Sequence, residues 1–129
     1  SQTSSGTKRK YNQVIKLASR FMKATKLKVA NLDEDQMKVA MCYELGALDV
    51  FTQAKELGTE DAAKVMAKHF EKFWGMSVDK RTVYDLFSTF GGSEEGLKNI
   101  EVGAETAMAW LEGDKKAPHR LNSLLKHKG

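Results

Sequence analysis

The sequence predicts an all-α protein. Three observations carry that expectation. There is a single proline, Pro118, in 129 residues. The composition is dense in Ala, Leu, Met, Glu and Lys, which lose little rotamer freedom on entering a helix. Apolar residues recur at three- and four-residue steps, with no alternating, strand-like stretch and no internal repeat. The hydrophobic content of 41% is ordinary for a chain that builds a sizeable core. At this length one domain, or two very small helical lobes sharing a core, is expected. The predicted architecture is a compact bundle of about six or seven helices. It divides into a flexible leader over 1–7, an N-terminal helical lobe over 8–76 and a C-terminal lobe over 77–129.

Taken in order, residues 1–7 are small and polar and read as the leader. From about Lys8 to Lys28, Val14, Leu17, Ala18, Phe21 and Met22 form one face of an amphipathic helix, and Lys16, Arg20 and Lys23 fall together on the opposite side. The second helix marks its own start. Asp33 is a good N-cap, Gln36 completes a capping box, and Leu32 and Met37 stand at staple positions. This helix is expected to run to about Leu57, with Gly58 closing it, and is apolar around so much of its circumference that it reads as central. Gly46 allows a close helix crossing. Thr59 caps a third helix through Trp74, with Ala63, Met66, Ala67, Phe70 and Phe73 inward and Gly75 as its stop. A fourth runs from about Asp79 to Phe90, ended by Gly91-Gly92. Ser93 caps a short fifth, about Ala104 to Glu112 makes a sixth, and Pro118 opens a last helix through about His127.

The net charge of +4 conceals segregation. Residues 1–30 carry eight Lys/Arg and no acid, and 115–129 carry five and no acid, whereas 91–114 hold six acids against Lys98 alone. Cationic ends around anionic interior elements suit a polyanion held by the termini, and equally suit lobes that attract one another within one fold. No window approaches the roughly 18 apolar residues of a membrane span. The N-terminus lacks the apolar stretch of a secretory signal, and the lone Cys42 offers no disulfide, so a reducing cytoplasm is the expected location.

Raw material for catalysis is sparse. His69, His119 and His127 are far apart, none with metal-ligand spacing, so neither a metal nor another cofactor is expected. Gly91-Gly92-Ser93 lacks the lysine and spaced glycines of a phosphate loop and reads as helix stop followed by helix cap. Glu94 and Glu95, like Asp33 and Asp35, sit where helix N-termini attract acids. Cys42 has Glu44 rather than a cation nearby and reads as packed and unreactive. The expectation is a protein without a catalytic site.

From Thr82 to Lys128 the text reads TVYDLFSTFGGSEEGLKNIEVGAETAMAWLEGDKKAPHRLNSLLKHK. This third of the chain resembles the helix-turn-helix domain of Cro- and repressor-type phage regulators, most specifically through the run Trp110 to Pro118; no whole-chain match accompanies it. The resemblance makes Ser93–Ile100 the first helix of the motif, Glu101-Val102-Gly103 the turn and Ala104–Leu111 the recognition helix. Leu97, Val102, Ala107 and Trp110 then form a small inward core. It implies a homodimer on duplex DNA, with the N-terminal helices supplying the dimer contact. The outward positions of the reading helix are then Gly103, Ala104, Glu105, Met108, Ala109 and Glu112, none of them Arg, Lys, Asn or Gln. Glu105 could accept from a cytosine amino group and Ala104 could touch a thymine methyl. Phosphate contacts fall to Lys98, Lys115, Lys116, Arg120 and Lys126, and to Lys16, Arg20 and Lys23. A poorer echo over Ala62–Phe87, with Lys80 and Arg81, reads as helix stop, loop and helix start.

Two functions stay open on these residues. The first is a small nucleic-acid-binding regulator using the C-terminal lobe and the basic termini. The second is a non-catalytic protein-interaction module: an adaptor, antitoxin-like or inhibitor protein, or a small helical subunit of a nucleoprotein complex. It draws on the acidic, Ala- and Met-rich surface over Glu101–Glu112 and on exposed residues around Phe70–Met76.

Overall fold

The computed structural model describes residues 5–126. Its α-helices are α1 Ser5–Ala24, α2 Glu34–Ala54, α3 Thr59–Trp74, α4 Lys80–Gly91, α5 Glu94–Leu111 and α6 Arg120–Lys126, with short 3-10 turns at Val29–Asn31 and Ala117–His119. The all-α expectation holds, and there is no strand among the described residues. The leader expected over 1–7 overlaps α1, since Ser5–Thr7 already form its first turn; residues 1–4 lie outside the described residues.

Side chains and backbone account for the helix ends. The Thr25 hydroxyl donates to Met22 O at 2.6 Å and accepts from Leu27 N–H at 3.1 Å, and Lys26 takes a left-handed φ of 60°, so α1 stops four residues before the expected Lys28. Asp33 and Gln36 make the reciprocal capping box that opens α2. Glu56, not Gly58, holds the left-handed position after α2 (φ 56°), and Leu57 N–H reaches back to Thr52 O. The helix therefore ends at Ala54, and Gly58 becomes the N-cap of α3. Asp79 and Ser93 cap α4 and α5 through the amides of Thr82 and Gly96.

The largest departure is at α5. The helix runs unbroken through Glu101, Val102 and Gly103, so the tight turn implied by the resemblance does not form. The reason lies in packing. α2 and α5 run in the same direction in backbone contact: a Cβ on Gly46 would stand 1.9 Å from Ile100 O, and one on Gly103 would stand 2.1 Å from Tyr43 O. Each glycine makes room for the other helix. With Gly96, Asn99, Thr106 and Ala107 buried on the same side, the inner face of α5 is satisfied only if it stays straight through residue 103. Gly103, expected outward, is buried, and Leu97, expected inward, is 45% exposed.

α2 is central, as its apolar circumference predicted, with α1, α3, α5 and α6 around it. An aromatic cluster joins three of these helices. Phe21 stacks on Tyr43 at 5.6 Å and meets Phe51 and Trp110 edge-on at 5.6 and 5.5 Å. The buried core continues from Tyr11 to Leu125, across the boundary drawn at 76/77.

Candidate nucleic-acid interface

α1 turns Tyr11, Val14, Ala18, Phe21 and Met22 into the core and leaves Lys16, Arg20 and Lys23 exposed on the far side. Lys26 and Lys28 follow in the connection to α2, also exposed. From Ser5 to Leu32 there is no acidic side chain.

Three contacts fix the C-terminal segment and the end of α5, one of them directly against the end of α1. Tyr43 Oη donates to Pro118 O at 2.9 Å from inside the core, pinning the 3-10 turn that opens α6. Asn122 Nδ2 on α6 donates to Thr25 O at the end of α1, at 3.3 Å, a link across 97 residues of sequence. The Arg20 guanidinium lies 5.8 Å from the centre of the Trp110 ring, tying the α1 stripe to the end of α5. Lys115, Lys116, Arg120 and Lys126 are exposed beyond these anchors. Among the described residues, Lys16, Lys23, Lys26, Lys28, Lys115, Lys116 and Lys126 have no carboxylate within ion-pair distance, and Arg120 has only a loose partner, Asp114 at 3.8 Å. The two cationic ends are therefore neighbours in the fold, and most of their charge faces solvent.

The expected reading helix has a different environment. Glu105 and Met108 are exposed and Ala104 is half-buried, its backbone N–H lying against Gly46. Glu101 and Glu112 are exposed beside them, so the outward surface is acidic and apolar. Lys98 is exposed on α5 among Glu94, Glu95 and Glu101, separate from the cations at the other end of that helix. Of the better DNA ligands on α4, Lys80 is bound to Glu60 at 2.8 Å. That lysine holds the Glu60 carboxyl below the usual carboxylate range, and Glu60 raises Lys80 in turn.

Other chemistry-bearing groups are committed to the interior. Glu44, buried on α2, accepts from His69 Nδ1 at 2.7 Å and from Trp74 Nε1 at 2.6 Å, closing a polar link between α2 and α3. His69 stacks on Phe73, and Phe70 is buried, so of the Phe70–Met76 stretch only Met76 remains a largely exposed apolar residue. Sequence reading missed Glu44 as a buried anchor because its helix neighbours gave no hint that two donors would meet it from α3. Cys42 is buried and its thiol is pushed up to about 12, chiefly by burial and secondarily by Glu95. A cavity of about 630 Å³ between α2, α3 and α4 is lined by Leu57, Met66, Val83, Tyr84 and Phe87 with Asp49, Thr52 and Gln53. The Asp49 carboxylate is occupied by Gln53 Nε2 at 2.9 Å. Among the described residues there is no group of three His, Cys, Asp or Glu placed to hold a metal ion, and no helix is long and apolar enough to cross a membrane.

Searches against known protein families, curated proteins and solved structures find no match to the chain.

Proposed function

We propose that this chain is a small nucleic-acid-binding protein that grips the phosphate backbone of duplex DNA through the surface joining α1 to the C-terminal segment, without base readout by α5. What carries the reading is the Asn122–Thr25 hydrogen bond, which joins the acid-free C-terminal segment to the end of the acid-free α1. Unpaired cations on a rigid scaffold displace condensed counterions from DNA, and that release supplies sequence-independent affinity. Lys16, Arg20 and Lys23 along one helix face, with Lys26, Arg120 and Lys126 nearby, offer contacts to about four to six phosphates. Arg20 has a further asset. Its guanidinium lies 5.8 Å from the centre of the Trp110 ring, a cation–π distance that restrains the side chain and lowers the conformational cost of meeting a phosphate. The acidic outward surface of α5 points away from a groove-reading role, since carboxylates beside phosphates lose affinity.

The test is fluorescence anisotropy of a labelled duplex of mixed sequence, titrated at several salt concentrations. Log affinity is expected to fall against log salt with a slope of about −4 to −5, from roughly −0.9 per phosphate neutralised. A second duplex of unrelated sequence should bind within about threefold, because a wrong base at a direct-readout position ordinarily costs much more. The triple variant Lys16→Glu, Arg20→Glu, Lys23→Glu should lose most of the affinity and flatten the slope by about three. Absence of binding at low salt, or binding indifferent to salt, overturns the proposal.

A further inference from the structure

The inner face of α5 is consumed by α2, yet its outer face is not what a solvated helix requires. Leu97, Ala104, Met108 and Leu111 fall on one line along that face; Leu97, Met108 and Leu111 are 45%, 50% and 43% exposed. With Glu101 they follow steps of four, three, four and three residues, the spacing of a helix seam that packs against another helix. Glu101 stands at the border of this seam, and with Glu94, Glu105 and Glu112 it forms a row of carboxylates along one flank. Isolated exposed leucines need no explanation, but a periodic seam with a single-sign flank has the form of a pairing surface. We infer that the outer face of α5 docks a cationic amphipathic helix of a partner protein, its apolar stripe on the Leu97–Leu111 seam and its Lys/Arg residues against the glutamate row. Charge complementarity selects this occupant. A second copy of α5 would bring two glutamate rows together, with Lys98 as the one cation on each helix to offset them, and like charges across such a seam disfavour pairing. A nucleic acid is repelled by the same row. Seam and cationic surface therefore take ligands of opposite charge.

The test uses the full chain and three synthetic peptides, with binding followed by calorimetry at moderate salt. The first peptide carries leucines at alternating three- and four-residue steps with lysines between them. The second is the same composition scrambled, and the third has glutamates replacing the lysines. The first is expected to bind, and the other two to bind about tenfold more weakly or worse, since both the apolar register and the charge contribute. Leu97→Gln, Met108→Gln, Leu111→Gln should lose binding by about tenfold or more while keeping the helical circular dichroism and the DNA affinity of the parent chain, because all three side chains point outward. Glu101→Lys, Glu105→Lys should lose it in the same way. Equal binding of the ordered and scrambled peptides overturns the inference, as does unchanged binding by the triple glutamine variant. So does a dimer in analytical ultracentrifugation that the triple variant dissolves, which would assign the seam to a second copy.

Discussion

Replacing Gly46 with alanine sets two effects of opposite sign against each other. In a helix interior, alanine is favoured over glycine by about 1 kcal/mol, because glycine gives up more backbone freedom. At a loosely packed site Gly46→Ala would therefore stabilise the fold. Here the new methyl would stand 1.9 Å from Ile100 O and 2.9 Å from Ala104 N, against the 3.4–4 Å of ordinary contact. A Cβ has no rotamer to escape through, and the atoms it meets are backbone. α5 must withdraw by more than 1 Å along a seam that buries Tyr43, Ala47, Asn99 and Ala107, and a radial gap of about 0.5–1 Å already forfeits a quarter to a half of each dispersion contact. Overpacking costs about 1–3 kcal/mol, more where backbone must shift. Taking the upper end and subtracting the propensity gain leaves a net loss of about 2 kcal/mol. With an unfolding entropy near 2.1 cal/mol/K per residue, that lowers Tm by about 7 °C. Gly103→Ala, whose methyl would meet Tyr43 O at 2.1 Å, should behave alike. The double variant should cost less than the sum, because one displacement of α5 relieves both clashes. Urea unfolding with a shared slope m gives the three values. A neutral or stabilising Gly46→Ala, or strict additivity, would refute the parallel backbone contact of α2 and α5.

Three further residues, Glu44 and Cys42 in the interior and Asp79 at the surface, give testable outcomes. Glu44→Ala strands the buried His69 donor and the half-buried Trp74 donor and should cost about 3–5 kcal/mol in urea unfolding, whereas Trp74→Phe, which removes one of the two bonds, should cost about 1.5–3 kcal/mol; independent effects in the double variant would dismiss the shared network. Cys42 should resist iodoacetamide at pH 8 in the folded chain and react in urea, and rapid native labelling would mean an open thiol. Its raised value also fixes a sign: between the ordinary thiol pKa and about 12 the folded state binds more protons than the unfolded, so stability falls as pH rises through that window. Tyr43, also raised by burial, acts in the same direction. Cys42→Ala should shallow the alkaline limb of a Tm-against-pH profile, and a profile unchanged by it contradicts the burial. Asp79 behaves oppositely. The Thr82 amide and hydroxyl hold its carboxyl below the usual range, so its cap is present above the ordinary carboxylate pKa and is lost as pH falls through the depressed value. Asp79→Ala should lower amide-exchange protection over the first turns of α4 at neutral pH and make no difference in strong acid.

The parts of the fold written in local code were legible. Asp33, Gln36 and Ser93 announce helix starts through hydrogen bonds within three residues, and the inward residues of α1 follow one helical period. What failed depended on distant partners. Gly103 following Glu101-Val102 has the look of a turn, and only the presence of Tyr43 O beneath it makes a straight helix the better solution. Leu97 was expected inward only through the resemblance, which puts a core residue at that position, and the unbroken helix turns it outward. Gly58 looked like a helix stop, but Glu56 accepted the left-handed conformation two residues earlier. Lys16, Arg20 and Lys23 were placed correctly from periodicity alone. That Thr25 and Asn122 would meet, bringing α6 against the end of α1, is a tertiary fact with no local signature.

The straightness of α5 bears directly on the proposed contact with DNA. A recognition helix must project from its domain so that successive outward side chains enter the major groove. α5 instead lies against the central helix at backbone distance, and that proximity requires glycine at 46 and 103. The same contact turns Glu101, Glu105 and Glu112 outward together, so tightening the fold makes this face less suited to a polyanion. α1 follows the opposite logic. Its apolar stripe is used up by the core, leaving Lys16, Arg20 and Lys23 on a side where, among the described residues, no carboxylate stands within ion-pair distance. If α5 were nonetheless the reading element, Glu105→Gln and Met108→Gln would sharpen discrimination between duplexes of different sequence. If affinity resides in the joined cationic ends, those substitutions raise binding to all duplexes by a similar small factor, as the loss of one carboxylate from the field requires, and sequence preference stays flat. Competition between two unrelated duplexes, with and without the paired substitutions, separates the two cases.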